Sequence, residues 1–234
     1  MNLFIDSIAS AMELLLAGDE ELFTIVGVSL KVTCGSTLIA SALGIPLGFW
    51  LAFSSFPGKR LVITCLNTLL ALPTVVIGLL VYTFISRRGL FGSLELLYTQ
   101  QAMVIGQVIL ITPLLATLAL AAISRIDKRY HYTALTLGAD RIQMALVIFH
   151  EARFGIIAAI IAAYGRVIAE IGISMMLGGN ALGFTRTMTT AMALEYDKGE
   201  FTLAVALGII LMGLAFFINM LFHFCQGRVG FDDL

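Results

Sequence analysis

Arg166 and Glu170, four residues apart, lie in a run apolar enough to span a bilayer, and Lys31 interrupts another such run. A fixed charge at bilayer depth costs about 2.5–3.5 kcal/mol on insertion scales, so each of these groups needs a partner or water. Arg166 and Glu170 share a helix face, but Arg preceding Glu is the weaker order for an i,i+4 pair, which argues against a purely local role. The spacing predicts a network of Lys31, Glu170 and Arg166 between helices, and structural pairing and a place on a translocation path are equal readings of it. In the same run as Lys31, Ser29, Thr33, Thr37 and Ser41 recur every four residues, with Ser36 beside them. Such a stripe can donate hydrogen bonds without a fixed charge, which suits a conduit. The competing reading is close helix packing by small residues, which Gly44 and Gly48 at GxxxG spacing also favour.

Enzymatic constellations begin here and are not completed. Gly172-Ile173-Ser174 has the start of a serine nucleophile, but His131, His150 and His223 fall at the opposite side of the membrane. His150-Glu151 opens a zinc motif whose second His position is Phe154. Gly58-Lys59 lacks the preceding Gly and the following Ser or Thr of a P-loop. Cys34, Cys65 and Cys225 are odd in number and far apart, so they read as small packed hydrophobes. No cofactor or metal is expected in this chain.

The elements that carry these residues are membrane helices. Of 234 residues, 59% are hydrophobic and 12% charged, against roughly 25% charged in a soluble domain. The mean hydropathy is +0.99. A net charge of -1 leaves no basic footprint for nucleic acid. Runs of about 20 apolar residues predict five spans, near Leu22–Phe53, Leu61–Ile85, Met103–Ile123, Gly155–Gly178 and Phe201–Phe224. The first exceeds one crossing and must tilt or project, and Pro46 is placed to bend it. Ile5, Ile8, Met12, Leu15 and Leu16 at helical spacing predict an interfacial amphipathic helix over residues 1–20, ahead of a transmembrane domain over 21–226 and a short tail over 227–234. Basic residues choose the orientation: Lys59, Arg60, Arg125, Lys128, Arg129, Arg141, Arg153 and Arg228 share one side, against Arg87, Arg88, Arg186 and Lys198 on the other. The N-terminus is therefore expected outside and the C-terminus in the cytoplasm.

Between the third and fourth spans, a polar stretch is patterned as two short helices separated by Gly138. Asp140 and Gln143 are spaced as a capping box, and Ile142, Ala145, Leu146 and Phe149 form an apolar stripe. This loop resembles that of the permeases of binding-protein-dependent ABC importers: Glu-Ala-Ala, three residues, Gly, nine residues, Ile, one residue, Leu-Pro. Here Tyr132-Thr133-Ala134, Gly138 and Ile148 keep the Gly and Ile spacing, while Tyr132-Thr133 replaces the leading Glu-Ala and His150-Glu151 the closing Leu-Pro. Leu72-Pro73-Thr74-Val75-Val76-Ile77-Gly78 resembles an element of the molybdate and tungstate permease branch. So does the stretch from Arg166 through Glu170 and Gly172 to Asn180, and the five-span layout looks more like the tungstate type.

The resemblance implies an all-α polytopic membrane bundle of the ABC type I importer fold, in a prokaryotic inner membrane. It implies a non-enzymatic transport subunit that moves a tetrahedral oxyanion, tungstate or molybdate, with sulfate, phosphonate or amino-acid permeases as rivals. Tyr132, Thr133, Ala134, Gly138, Ala139, Asp140 and Ile148 are the implied coupling residues. The implied partners are a second copy of this chain, two ATPase subunits that carry ATP and magnesium, an extracytoplasmic substrate-binding protein, and membrane lipid.

Overall fold

A computed structural model describes residues 8, 9, 12, 13, 16 and 18–225, apart from the side chains at 128, 131, 132, 135, 141 and 221–225. The amphipathic helix expected over 1–20 therefore falls largely, and the tail over 227–234 wholly, outside the described residues. The elements are α1 (Glu20–Phe53), α2 (Lys59–Leu70), α3 (Thr74–Ile85), a 3-10 turn (Gly92–Leu94), α4 (Gln100–Ser124), α5 (Lys128–Thr136), α6 (Arg141–Ile168), a π turn (Ser174–Gly178), α7 (Met188–Lys198) and α8 (Phe201–Cys225).

Four of these helices, α1, α4, α6 and α8, are long and apolar enough to cross a membrane. The expected span Leu61–Ile85 is instead the pair α2 and α3, bent by 100°. Pro73 accounts for the break, because its ring excludes the helical conformation at Leu72 and removes the N–H that would continue the ladder. Pro46, by contrast, sits inside an unbroken 34-residue α1. That helix opens on Asp19, whose carboxylate accepts the Leu22 N–H at 2.9 Å.

The bundle is organised around α4, which packs against α1, α2, α3 and α6. Its contact with α1 is close because two glycines make it so. A Cβ on Gly44 would lie 2.9 Å from Thr112 O, and one on Gly48 would lie 2.5 Å from Ala116 O. The GxxxG spacing is therefore a backbone-to-backbone seam, the packing mode expected where lipid offers no hydrophobic drive between helices. Leu110, Ile111 and Leu115 of α4, with Ala159, Ala163 and Val167 of α6, fill the adjoining core.

The polar stretch and the fourth span are arranged differently from the expectation. After α5, Gly138 takes φ +78. The capping box then forms, with Gln143 N–H donating to Asp140 Oδ1 (2.7 Å) and Asp140 N–H to Gln143 Oε1 (3.0 Å). The helix it starts does not stop at the membrane: α6 continues for 28 residues to Ile168. No proline interrupts this run, and Gly155 sits tight against Ala122 instead of ending the helix. The crossing thus ends ten residues before the predicted Gly178, and the chain from Ala169 to Gly178 is a break followed by the π turn.

Gly48→Val should destabilise the bundle by about 2 kcal/mol, because the Ala116 carbonyl cannot yield as a flexible side chain would. Gly27→Ala, where a Cβ meets no atom within 4 Å, is the control and should be neutral or slightly stabilising. Unfolding in detergent titrated with dodecyl sulfate reads both; equal stability of Gly48→Val and native chain would refute the seam.

Candidate functional site

Two helix breaks meet inside the bundle. One is the Ala71–Pro73 corner that starts α3; the other is the stretch after α6 that holds Glu170 and Gly172. They touch at Gly172, where a Cβ would lie 2.9 Å from Thr74 Oγ1 and 3.3 Å from both Glu170 Oε1 and Val75 Cγ2. Only a residue without a side chain allows the α3 N-terminus to come this close.

Glu170 is 4% exposed and organises the second break. Its Oε2 accepts Arg166 Nη1–H at 2.9 Å and its Oε1 accepts the Ile173 N–H at 3.3 Å. Its backbone carbonyl accepts the Thr189 hydroxyl at 2.9 Å, tying α7 to the same point. The carboxylate stands close to the N-terminus of α3, an arrangement the helix dipole favours. Arg166 is in the last turn of α6, and its side chain is 46% exposed while that of Glu170 is 3% exposed. The predicted three-way network thus reduces to a pair: Lys31 is exposed and makes no ion pair among the described residues.

The hydroxyl ladder of α1 faces inward within one chain. Ser29, Thr33, Ser36 and Thr37 are buried. Ser29 Oγ accepts the Met188 N–H (2.7 Å) and donates to Ile25 O (2.9 Å), joining α1 to α7. Ser36 Oγ–H donates to Gln107 Oε1 (2.9 Å), and Gln107 Nε2–H reaches Ser174 Oγ (3.5 Å), joining α1, α4 and the π turn. Thr37 Oγ1 and Ser41 Oγ are buried without a partner among the described residues. Gln107 and Ser174 were not anticipated as partners, although Gln107 is a conspicuous amide within the apolar run of α4.

The loop after the π turn is built, not slack. Thr185 Oγ1 donates to Gly178 O (2.6 Å) and accepts the Ala181 N–H (3.0 Å). Gln100 Nε2–H reaches Phe184 O (2.6 Å), and Arg186 Nη1 pairs with Glu21 Oε1 (3.2 Å). The ring of Tyr98 covers Gly179, and its N–H donates to Leu177 O (2.8 Å). A hydrogen bond with Tyr82 holds the Tyr98 phenol above its ordinary pKa. The helix α7 that follows, capped by Thr187 and closed by Gly199 at φ +83, was missed by apolar patterning.

Of the residues that the resemblance implies for coupling, Ala134 and Ile148 are buried and position the hairpin, whereas Thr133, Gly138 and Asp140 are exposed and Ala139 is half-buried. Ala139 N–H closes the turn on Ala134 O (3.0 Å). The side chain of Tyr132 lies outside the described residues. Leu137, Ile142 and Leu146 are 81%, 71% and 63% exposed, an apolar face with no cover among the described residues.

Comparison with known proteins gives one consistent picture. Residues 44–230 match the family model described as binding-protein-dependent transport system inner membrane component. The chain is 38% identical to a probable anion ABC transporter permease of Haloferax volcanii, over 86% of this chain and 88% of that one. It is 35% identical to a tungstate uptake system permease of Peptoclostridium acidaminophilum, over 97% and 99%. Among solved structures it is similar to a chain of a bacterial alginate ABC transporter (TM-score 0.78, 18% identity, 97% and 88% covered). It is also similar to one of the MetNI methionine ABC transporter (TM-score 0.71, 19% identity, 87% and 93% covered).

Arg166→Ala should destabilise the chain by about 2 kcal/mol, discounted for the half-exposed guanidinium, because it strands a buried carboxylate. The double variant Arg166→Ala/Glu170→Gln should recover part of that loss, and Lys31→Met should leave stability unchanged. A loss in the double variant equal to the sum of the Arg166→Ala and Glu170→Gln losses, read by the same unfolding titration, would show that the pair is not coupled.

Proposed function

The chain belongs to the family of binding-protein-dependent transport system inner membrane components and is a multi-pass permease subunit of an ABC importer, and from that premise we propose that its solute is a tetrahedral oxyanion, tungstate or molybdate. It is a transport subunit, not an enzyme. The observation that carries the oxyanion reading is end-to-end similarity to a tungstate uptake permease, across 97% of this chain. Sulfate, phosphonate and amino-acid permeation are the rival solutes.

In this reading two copies pair, since one bundle with five candidate spans is too small to enclose a path with alternating access. The hairpin of α5 and the start of α6 lies in the cytoplasm, as does the C-terminus, and the N-terminus is outside. Two ATPase subunits carry ATP and magnesium, and their groove receives the exposed face of Leu137, Ile142 and Leu146. ATP binding closes the ATPases and draws the hairpins together, the helices turn outward-open, and an external substrate-binding protein delivers the anion. Hydrolysis resets the pair.

We assign the path to Arg166 and Glu170 and leave the α1 hydroxyls to packing. A bare guanidinium at bilayer depth would trap an oxyanion, whereas one already paired with Glu170 presents a weaker attraction, sufficient to admit the anion and release it.

Two outcomes test this. In proteoliposomes with the partner ATPase, Gly138→Asp should leave insertion and ATP hydrolysis intact and reduce uptake at least tenfold; normal coupling would discredit the hairpin. The cognate binding protein should bind tungstate or molybdate more tightly than sulfate by titration calorimetry, and a preference for sulfate or for an amino acid would remove the oxyanion assignment.

A further inference from the structure

The turn joining α1 to α2 lies at the same end of the bundle as the hairpin: Phe49 and Phe149 meet with ring centroids 6.5 Å apart, and Ala52 and Phe53 border a cavity with Asp127 and Ile148. A second cavity, of about 520 Å³, opens at this turn between Ser54, Ser55, Phe56, Lys59, Arg60 and Ile63. Among the described residues no carboxylate lines it. Lys59 Nζ donates to Ser54 O at 3.0 Å, which holds the ammonium at the rim. Arg60 is exposed and makes no ion pair among the described residues.

The surround is apolar and exposed. Trp50 stacks on Phe56 with centroids 5.1 Å apart, and Trp50, Phe53 and Leu61 are all exposed. Tryptophan beside cations is the composition of a membrane boundary, where the indole sits at headgroup depth. A ligand that fits must present an anion to Lys59 and Arg60, hydrogen-bond acceptors to Ser54 and Ser55, and hydrocarbon to Trp50 and Leu61. Free phosphate satisfies the first two demands and leaves the third in water.

We propose that this cavity binds the phosphodiester headgroup of an anionic phospholipid, from the leaflet on the hairpin side. The two cations hold the phosphate, and the acyl chains run down the wall formed by Trp50 and Leu61. Basic pockets at this depth recognise lipid headgroups by their charge.

Trp50 is the sole tryptophan of the chain, so its fluorescence reads the site directly. With the full chain in phosphatidylcholine vesicles, brominated phosphatidylglycerol should quench Trp50 at a far lower mole fraction than brominated phosphatidylcholine. The expected preference is about fivefold per cation, hence roughly twenty- to thirtyfold for two. K59Q/R60Q should abolish it and K59R/R60K should keep it, with helical circular dichroism unchanged in both. Should K59Q/R60Q fail to insert, the single variants K59Q and R60Q should each lose about fivefold. Equal quenching by the two lipids in the native chain, or a preference that survives K59Q/R60Q, overturns the proposal. So does removal of the preference by millimolar inorganic phosphate but not by chloride of equal ionic strength, which would make the occupant a soluble anion.

Discussion

Within a bilayer a helix can stop only where something other than lipid takes up its peptide groups, and this constraint governs the centre of the molecule. The chain breaks twice there, at Ala71–Pro73 and after Ile168, and the two breaks are placed against each other. Glu170 supplies the missing acceptor for the Ile173 N–H, and Thr189 supplies a donor for the Glu170 carbonyl. Gly172 makes the approach of Thr74 sterically possible. One carboxylate therefore acts as helix stop, as cross-link and as counter-ion to Arg166, and none of these roles can be altered without disturbing the others.

The same economy extends outward. Ser29 serves as acceptor for the first amide of α7, and Arg186 ties the loop after the π turn to the beginning of α1 through Glu21. Gln107 links α1 to the π turn through the middle of α4. The polar groups of this apolar chain are thus concentrated where helices end or cross, which is where lipid cannot satisfy them.

Much of this was legible in the residues. Apolar run length predicts the crossing helices, Gly44 and Gly48 predict the close seam, and Asp140 with Gln143 predicts the start of α6. Those signals are local: each is read within one continuous segment. The end of α6 was not legible, because apolar residues continue from Ala169 through Gly178 while the backbone changes course. The stop there is imposed by Glu170 and by α3, which lies far away in sequence. Lys31 is exposed and unpaired among the described residues, and its depth in the run says nothing about which side of a helix faces the core. The helix α7 is polar and was hidden from hydropathy, yet Thr187 and Gly199 bracket it as a cap and a stop.

The unbroken course of α6 has a mechanical consequence. It joins Asp140, beside the exposed hairpin face, to Arg166 at the inner break with no hinge between them. A 28-residue helix is about 42 Å long, so pivoting it by 10° about its midpoint displaces each end by roughly 4 Å in opposite directions. Force applied at one end of this strut reaches the guanidinium at the other as geometry alone, without any intervening relay of side chains.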